Sequence, residues 1–309
     1  LLGNGQRADK NTPPERAACA LAELVRLNQG KIDVGRKEGL PPLVLMLTST
    51  CDEARTHAAS ALWHLSVIAE HKSKIIAIGG VQHLVKIMAR GPVGAQRFAA
   101  GALWQLASST EAKKLMVESD GIPAMVWCLC SIASGEFGVD DTSNVPAQEV
   151  TLEAKIAGSG DTAHTSVDAL TGPSTAAIAV VATLALLARD SSTNRSSIVE
   201  SGGLAPVADL LNHGSTSLKQ HATSTLWALA QEPLLRAQII DQPFVVSHLA
   251  ELLRSVSGSE TQKLAAGTLV CLAQDEQARK RMLNANGLVS TLSMLKVVAD
   301  SWLQAQASE

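Results

Sequence analysis

The chain contains no tyrosine and only three phenylalanines and five tryptophans among 309 residues. A core so poor in rings must be filled by aliphatic side chains, which excludes an aromatic-rich β-sandwich. Charge of one sign is also lacking. The 26 basic and 29 acidic residues leave a net −3 and an isoelectric point near 6.3. A dedicated nucleic-acid binder would carry a strongly basic domain, so no nucleic-acid partner is expected. Long apolar runs are missing too. The longest, Ala176 to Ala188, spans thirteen residues between Pro173 and Arg189. A membrane-spanning helix needs about 20, so this run reads as a buried helix and no membrane insertion is expected.

Five cysteines, Cys19, Cys51, Cys128, Cys130 and Cys271, are odd in number and scattered, unlike a secreted disulfide framework. The expected setting is reducing and intracellular, cytoplasmic or nuclear. Leu1-Leu2-Gly3-Asn4-Gly5 shows no basic region followed by an apolar one, so no signal peptide is visible. The absent initiator Met is consistent with a piece of a longer chain. Aliphatic residues are plentiful: 46% of the chain is hydrophobic and 18% charged, enough to bury a sizeable core and too apolar for wholesale disorder.

Self-similarity organises these residues. Ala61-Leu62-Trp63-His64-Leu65, Ala102-Leu103-Trp104-Gln105-Leu106 and Thr225-Leu226-Trp227-Ala228-Leu229 share one pattern, repeated more loosely around Leu21, Leu184 and Leu269. Gly39, Gly80, Gly121, Gly203 and Gly287 each precede an apolar residue, at intervals of 41, 41, 82 and 84, with Val245 in the glycine's place midway through the last. Counted from the residue before the final Leu, a Leu recurs at −2 and +1, and a small residue at −6 (Ala17, Ala58, Ala99, Ala222, Ala265, with Val180 the exception). Offsets of three and four put these on one helical face. Thr12, Thr50, Ser217 and Ser257, each three residues before an acid or amide, read as capping boxes. The glycine suits a sharp turn between helices because it tolerates positive φ. Each unit is therefore a short helix, a turn, a second helix and a long third helix. Such a unit cannot bury its own apolar face, so neighbours must stack.

This pattern resembles the armadillo repeat. The glycine of Ile78-Gly79-Gly80-Val81 and the Ala-Ala-x-Ala-Leu-x-x-Leu core of the third helix carry the resemblance, and the Ala-Leu-Trp-x-Leu form is similar to catenin-like repeats. The period excludes tetratricopeptide and ankyrin arrays, at about 34 and 33. The resemblance implies an all-α, right-handed α-solenoid of about six armadillo repeats, three helices per repeat, period 41–42. Residues 1–130 hold repeats, the first incomplete, and 174–298 hold the others. Residues 299–309 form a tail or cap. Residues 131–173 read as an acidic, disordered insertion within a repeat, with seven acids against Lys155 alone; the alternatives are a loop that lies over the groove or docks a basic partner, and a degenerate extra repeat.

In the armadillo family the third helices line a concave groove, and an Asn before the final Leu holds an extended peptide backbone. That position here reads Glu23, His64, Gln105, Leu186, Ala228 and Cys271. Nuclear-import receptors also carry Trp four residues earlier, where this chain has Cys19, Ser60, Gly101, Ala182, Ser224 and Gly267. Both departures argue against an import carrier. Trp63, Trp104 and Trp227 stand one residue before the groove position, either packed between adjacent third helices or forming a binding wall. His57 and His221 lie seven residues before it. The candidate partner-binding set is therefore Glu23, His57, Ser60, Trp63, His64, Gly101, Trp104, Gln105, Leu186, His221, Ser224, Trp227, Ala228 and Cys271.

Chemical motifs are weak. Cys128-Leu129-Cys130 falls on a second helix with no nearby Cys or His pair to complete a metal set, so both read as buried thiols. Ala157-Gly158-Ser159-Gly160 lacks the Gly-Lys-Ser/Thr of a phosphate loop, and Asn194-Arg195-Ser196 is a chance glycosylation match. No catalytic residues, metal or cofactor are expected. The functional expectation is a non-catalytic scaffold that binds a protein or peptide segment along the third-helix groove. The alternatives are a substrate-recruiting arm of a larger enzyme, such as a ubiquitin ligase, and a transport carrier. The sequence leaves the oligomeric state open.

Overall fold

The computed structural model describes residues 13–25, 30–31, 33–34, 38–134, 173–254, 259–274, 276 and 279–280, and every regular element among them is a helix. In chain order these are α1 (Pro13–Leu24), α2 (Leu40–Met46), α3 (Asp52–Leu65), α4 (Ala69–Ala77), α5 (Gly80–Arg90), α6 (Val93–Leu106), α7 (Thr110–Glu118) and α8 (Gly121–Ala133). There follow α9 (Pro173–Asp190), α10 (Ser192–Glu200), α11 (Leu204–His213), α12 (Thr216–Ala230), α13 (Pro233–Ile240), α14 (Val245–Arg254) and α15 (Ser259–Ala273). Two compact units are separated inside α8 and α9: residues 13–124 with 173–176, and residues 125–134 with 177 onward, among those described. No single helix among the described residues is long and apolar enough to cross a membrane.

Within the first unit α3 packs against both α1 and α6, while α2 and α5 lie on α3 and α6. In the second, α15 packs against α12, and α11 and α14 lie on α12 and α15. The Thr225 hydroxyl of α12 also reaches the Val181 carbonyl of α9 at 3.4 Å. Beyond α1, the leucines at −2 and +1 are closed inside these packed helices. Leu62, Leu65, Leu103, Leu106, Leu184, Leu187, Leu226, Leu229, Leu269 and Leu272 are all 0% exposed. Each such side chain contributes roughly 1.5–3 kcal/mol of burial. Ala58, Ala99, Ala222 and Ala265 are likewise closed off, since only a methyl fits where the helices approach. Buried threonines in these helices return their hydroxyls to the carbonyl four residues earlier, as Thr183 does to Ala179 and Thr268 to Leu264, both at 2.7 Å.

Two expectations about local structure are corrected. Thr50 and Ser217 do not cap helices. Cys51 is the N-cap of α3, without a side-chain cap bond, and Ser215 caps α12 by accepting from the Leu218 N–H. Ser217 lies inside α12, whose start is placed by the buried Leu218 rather than by the box. Thr12 and Ser257 lie outside the described residues. The second correction concerns the turn glycine. Positive φ falls on the residue before it: Glu38, Gly79, Asp120, Gly202 and Phe244. Gly80 itself is kept small by close approach, because a Cβ there would sit 2.8 Å from the Ile75 carbonyl oxygen and 2.5 Å from its side chain. Val245 escapes this constraint because its turn is one residue longer, six positions beyond Ile239 where Gly80 is five beyond Ile75.

Phe244 therefore combines a left-handed backbone (φ 61) with 72% exposure. A bulky side chain at positive φ costs roughly 1–2 kcal/mol, and the ring gains little beyond a tilted contact with His248 at 6.2 Å. Phe244→Gly is expected to raise stability by about 0.5–1 kcal/mol after the unfolded-state entropy of glycine is set against the relieved strain. A thermal melt checks this, and a lower midpoint would show that the ring contact outweighs the strain.

The repeat also carries a basic row: Lys31, Lys72, Lys113, Arg195, Arg236 and Arg279, each three residues before the apolar position of the first helix. The arginines close the end of the preceding third helix. Arg195 donates to the Ala188 carbonyl at 3.1 Å, Arg236 to Ala230 at 2.9 Å and Arg279 to Ala273 at 2.9 Å. A cation at a helix C-terminus satisfies orphan carbonyls and meets the negative end of the dipole.

The acidic stretch expected at 131–173 lies outside the described residues except at its edges, where Ser131 to Ala133 still belong to α8 and Pro173 opens α9. The expected turn at Gly287 and the tail at 299–309 lie outside them as well.

Candidate functional site

The third helices present their faces differently along the chain. Ser60, Trp63, His64, Gly101 and Ser224 are buried and support the surface rather than forming it. His57, Trp104, Gln105, Leu186, His221, Trp227 and Cys271 are half-buried, and Glu23 is exposed. Packing explains the burial. Trp63 lays its indole against Gly101 of the next third helix, where a Cβ would come within 2.6 Å of Nε1, and its ring lies 5.7 Å from Phe98. Trp227 stands in the same relation to Gly267, with a built Cβ 2.9 Å from Nε1. Glycine at −4 in one repeat is thus the seat for tryptophan at −1 in the repeat before it. Of the two places weighed for these rings, Trp63 takes the one between helices.

Trp227 does both. Its ring also borders a cleft of about 620 Å³ in the second unit, lined by Arg189, Arg195, Trp227, Ala228, Gln231, Glu260, Lys263 and Leu264. These residues come from α9, α10, α12, α15 and the residue after α12, so the cleft crosses three successive third helices. Ala228, 1% exposed, forms part of its floor. The Arg189 guanidinium carbon lies 5.6 Å from the centre of the Trp227 ring, and the same group donates to Ser224 Oγ at 2.9 Å. Stacking and hydrogen bond together hold a long, exposed side chain in one orientation. Gln231 donates to Cys271 Sγ at 3.4 Å, and Arg195 meets Glu232 at 3.4 Å.

Only Trp227 and Ala228 of the expected set line this cleft. The others were missed, although a signal existed. Arg189 and Gln231 stand three residues beyond the groove positions Leu186 and Ala228, one helical turn further along the same face, and Leu264 is the −7 counterpart of His57 and His221. No three His, Cys, Asp or Glu side chains gather into a metal set among the described residues. The reading of Cys128 and Cys130 as two buried thiols is corrected. Cys128 is buried, and burial pushes its thiol up to about 12, whereas Cys130 is exposed because residues two apart on a helix point in different directions.

The sequence profile of the armadillo/beta-catenin-like repeat matches residues 28–67 and 191–231. Both matched segments are armadillo repeats, and the chain has the armadillo-repeat fold. Each matched segment ends with a long third helix, α3 in one case and α12 in the other. Solved structures agree on the armadillo fold. One engineered protein is 25% identical with a TM-score of 0.60, covering 87% of this chain and 93% of its own. A designed armadillo repeat protein is 19% identical with a TM-score of 0.60, covering 85% and 96%. Another designed armadillo repeat protein, solved in complex with the peptide (KR)4, is 19% identical with a TM-score of 0.57 over 85% and 96%. No curated protein sequence matches the armadillo chain significantly.

Beside the cleft, burial first and the Arg189 charge second push the His221 imidazole down to about 4. In the unfolded chain it titrates near 6.5. Between these values the unfolded state binds more protons, so stability is full above about pH 6.5 and falls as pH drops toward 4. The slope approaches at most ~1.4 kcal/mol per pH unit. Urea denaturation at pH 7.5 and pH 5 is expected to show this loss, and His221→Gln is expected to flatten it. An unchanged slope in that variant would assign the pH dependence to other groups.

Proposed function

We propose that this armadillo chain is a non-catalytic scaffold that binds a segment of a partner protein across its third helices, with the cleft between Arg189 and Lys263 as the principal contact. The observation that supports it most is the cleft itself. It crosses three consecutive third helices, is walled by a rigid indole and floored by an alanine, and offers an oriented guanidinium and an amide at its rim. An apolar wall with a few placed polar groups is the usual makeup of a peptide anchor. Armadillo repeats are commonly protein-binding scaffolds, and a designed armadillo repeat protein with this fold was solved with a bound peptide.

The test is selection of peptides from a random displayed library against the chain, followed by affinity measurement on Gln231→Tyr. Gln231 is exposed and follows α12, so the larger ring fills the cleft without entering the core. A loss of at least tenfold for the selected peptides is the expected result. Selection of nothing, or peptides that bind the variant equally well, would overturn the reading.

A further inference from the structure

We infer that the cleft selects an anionic partner segment, with Arg189 taking a carboxylate of a peptide rich in Asp and Glu. This rests on the peptide-binding reading above and adds the charge of the ligand.

Three cations line the cleft, Arg189, Arg195 and Lys263, against one acid, Glu260. They are not equivalent. Arg195 is engaged twice, by Glu232 at 3.4 Å and by the Ala188 carbonyl at 3.1 Å, so it serves the fold. Lys263 is exposed on α15, one turn from Glu260, and supplies diffuse positive charge at the rim. Arg189 is the group set up for recognition. Among the described residues it donates to a neutral hydroxyl, Ser224 Oγ, and lies over the face of the Trp227 ring, neither of which neutralises it. A guanidinium offers five N–H donors in a planar fork that matches a carboxylate. One donor is used by Ser224, and the stacked geometry leaves others to meet a ligand. Ordering a flexible arginine before binding lowers the entropy cost of the contact.

The rest of the cleft favours a peptide over other anions. Trp227, Ala228 and Leu264 provide apolar surface for side chains flanking the carboxylate. The Gln231 amide at the cleft edge can bond a peptide backbone. A nucleic acid would need several phosphate contacts along a basic track, and the chain as a whole is at −3. The designed relative's (KR)4 is a basic ligand. Placing such a peptide here would set cation against Arg189 and Lys263, which is disfavoured in a partly desolvated cleft.

The experiment is fluorescence anisotropy at low salt with three labelled octapeptides, (DE)4, (NQ)4 and (KR)4, and a single-stranded oligonucleotide, each against the intact chain, Arg189→Gln and Arg189→Lys. The expected order is (DE)4 at least tenfold tighter than (NQ)4, with (KR)4 weakest. Arg189→Gln is expected to weaken (DE)4 about tenfold or more and (NQ)4 by a clearly smaller factor, and Arg189→Lys is expected to recover only part of the loss of (DE)4, because a point charge lacks the fork and the stacking. A fold control by circular dichroism accompanies both variants. Equal affinity for (DE)4 and (NQ)4, tighter binding of (KR)4, or an Arg189→Gln variant that holds (DE)4 as well as the parent would each overturn the inference. So would an oligonucleotide that outcompetes (DE)4 and depends on Arg189. Library peptides that are neutral or basic, lost in Gln231→Tyr but indifferent to Arg189, would overturn the anionic preference alone and leave the peptide-binding reading standing.

Discussion

Trp63→Ala is expected to lower the free energy of unfolding by ~3–5 kcal/mol, the range for removing a buried tryptophan. The indole is 8% exposed, and it fills the space between α3 and α6 with Phe98 on one side and Gly101 on another. Its loss leaves a cavity between two repeats, which the paired helices cannot close without sliding. Gly101 makes this more than a volume argument. Gly101→Ala in the parent forces a methyl within 2.6 Å of Nε1, so it is destabilising despite the better helix propensity of alanine. In the Trp63→Ala background the same methyl enters the vacated space. The two changes are therefore expected to be non-additive by about 0.5–3 kcal/mol in the double-mutant cycle. Urea denaturation followed by circular dichroism measures all four proteins. Simple additivity would mean that the tryptophan and the glycine do not share one seat.

Leu103→Ala is expected to cost ~2–5 kcal/mol. Leu103 is 0% exposed and stands at the −2 position of α6, a helix that packs on both α3 and α5. Truncation removes the transfer energy of the side chain and leaves a void whose walls belong to different helices, so relaxation recovers little. Lys86, exposed on α5, is a fitting control, and Lys86→Ala is expected to change stability by no more than about 0.5 kcal/mol. An undisturbed midpoint in Leu103→Ala would contradict the leucine register on which the whole repeat assignment stands.

That register was legible in the sequence because it is local and repeated. Leucine at −2 and +1 and a small residue at −6 lie within two helical turns, and a period of 41–42 shows them again and again. Five of the six leucine pairs are closed off completely, and only Leu21 and Leu24, on α1 at the edge of the described repeats, are not. The helix starts were less legible. A serine or threonine before an acid scores as a cap wherever it falls, but the start of α12 follows the burial of Leu218, and Ser215 takes the role given to Ser217. The turn glycine was found at the right place for the wrong reason. Its φ is ordinary, and the constraint is the carbonyl of a residue five positions earlier, a distance that only folded coordinates contain.

The site was the least legible part. A column of groove positions treats each repeat as a copy, yet His64 is 3% exposed while Gln105 is half-buried. The difference lies in how each neighbour covers them. The mark Arg189 carries in the sequence is its place one turn beyond Leu186, and its partners Ser224 and Trp227 are 35 and 38 residues away. By itself the sequence determined the helical class, the repeat, its period and the face each leucine buries, because these follow from spacing along one helix and recur six times. Tertiary structure alone decided where tryptophan seats on glycine, which arginine closes a helix and which lies over an indole. Those outcomes depend on side chains about 40 residues apart meeting at a few ångströms, and a periodic pattern fixes the identity of such neighbours but not their distance.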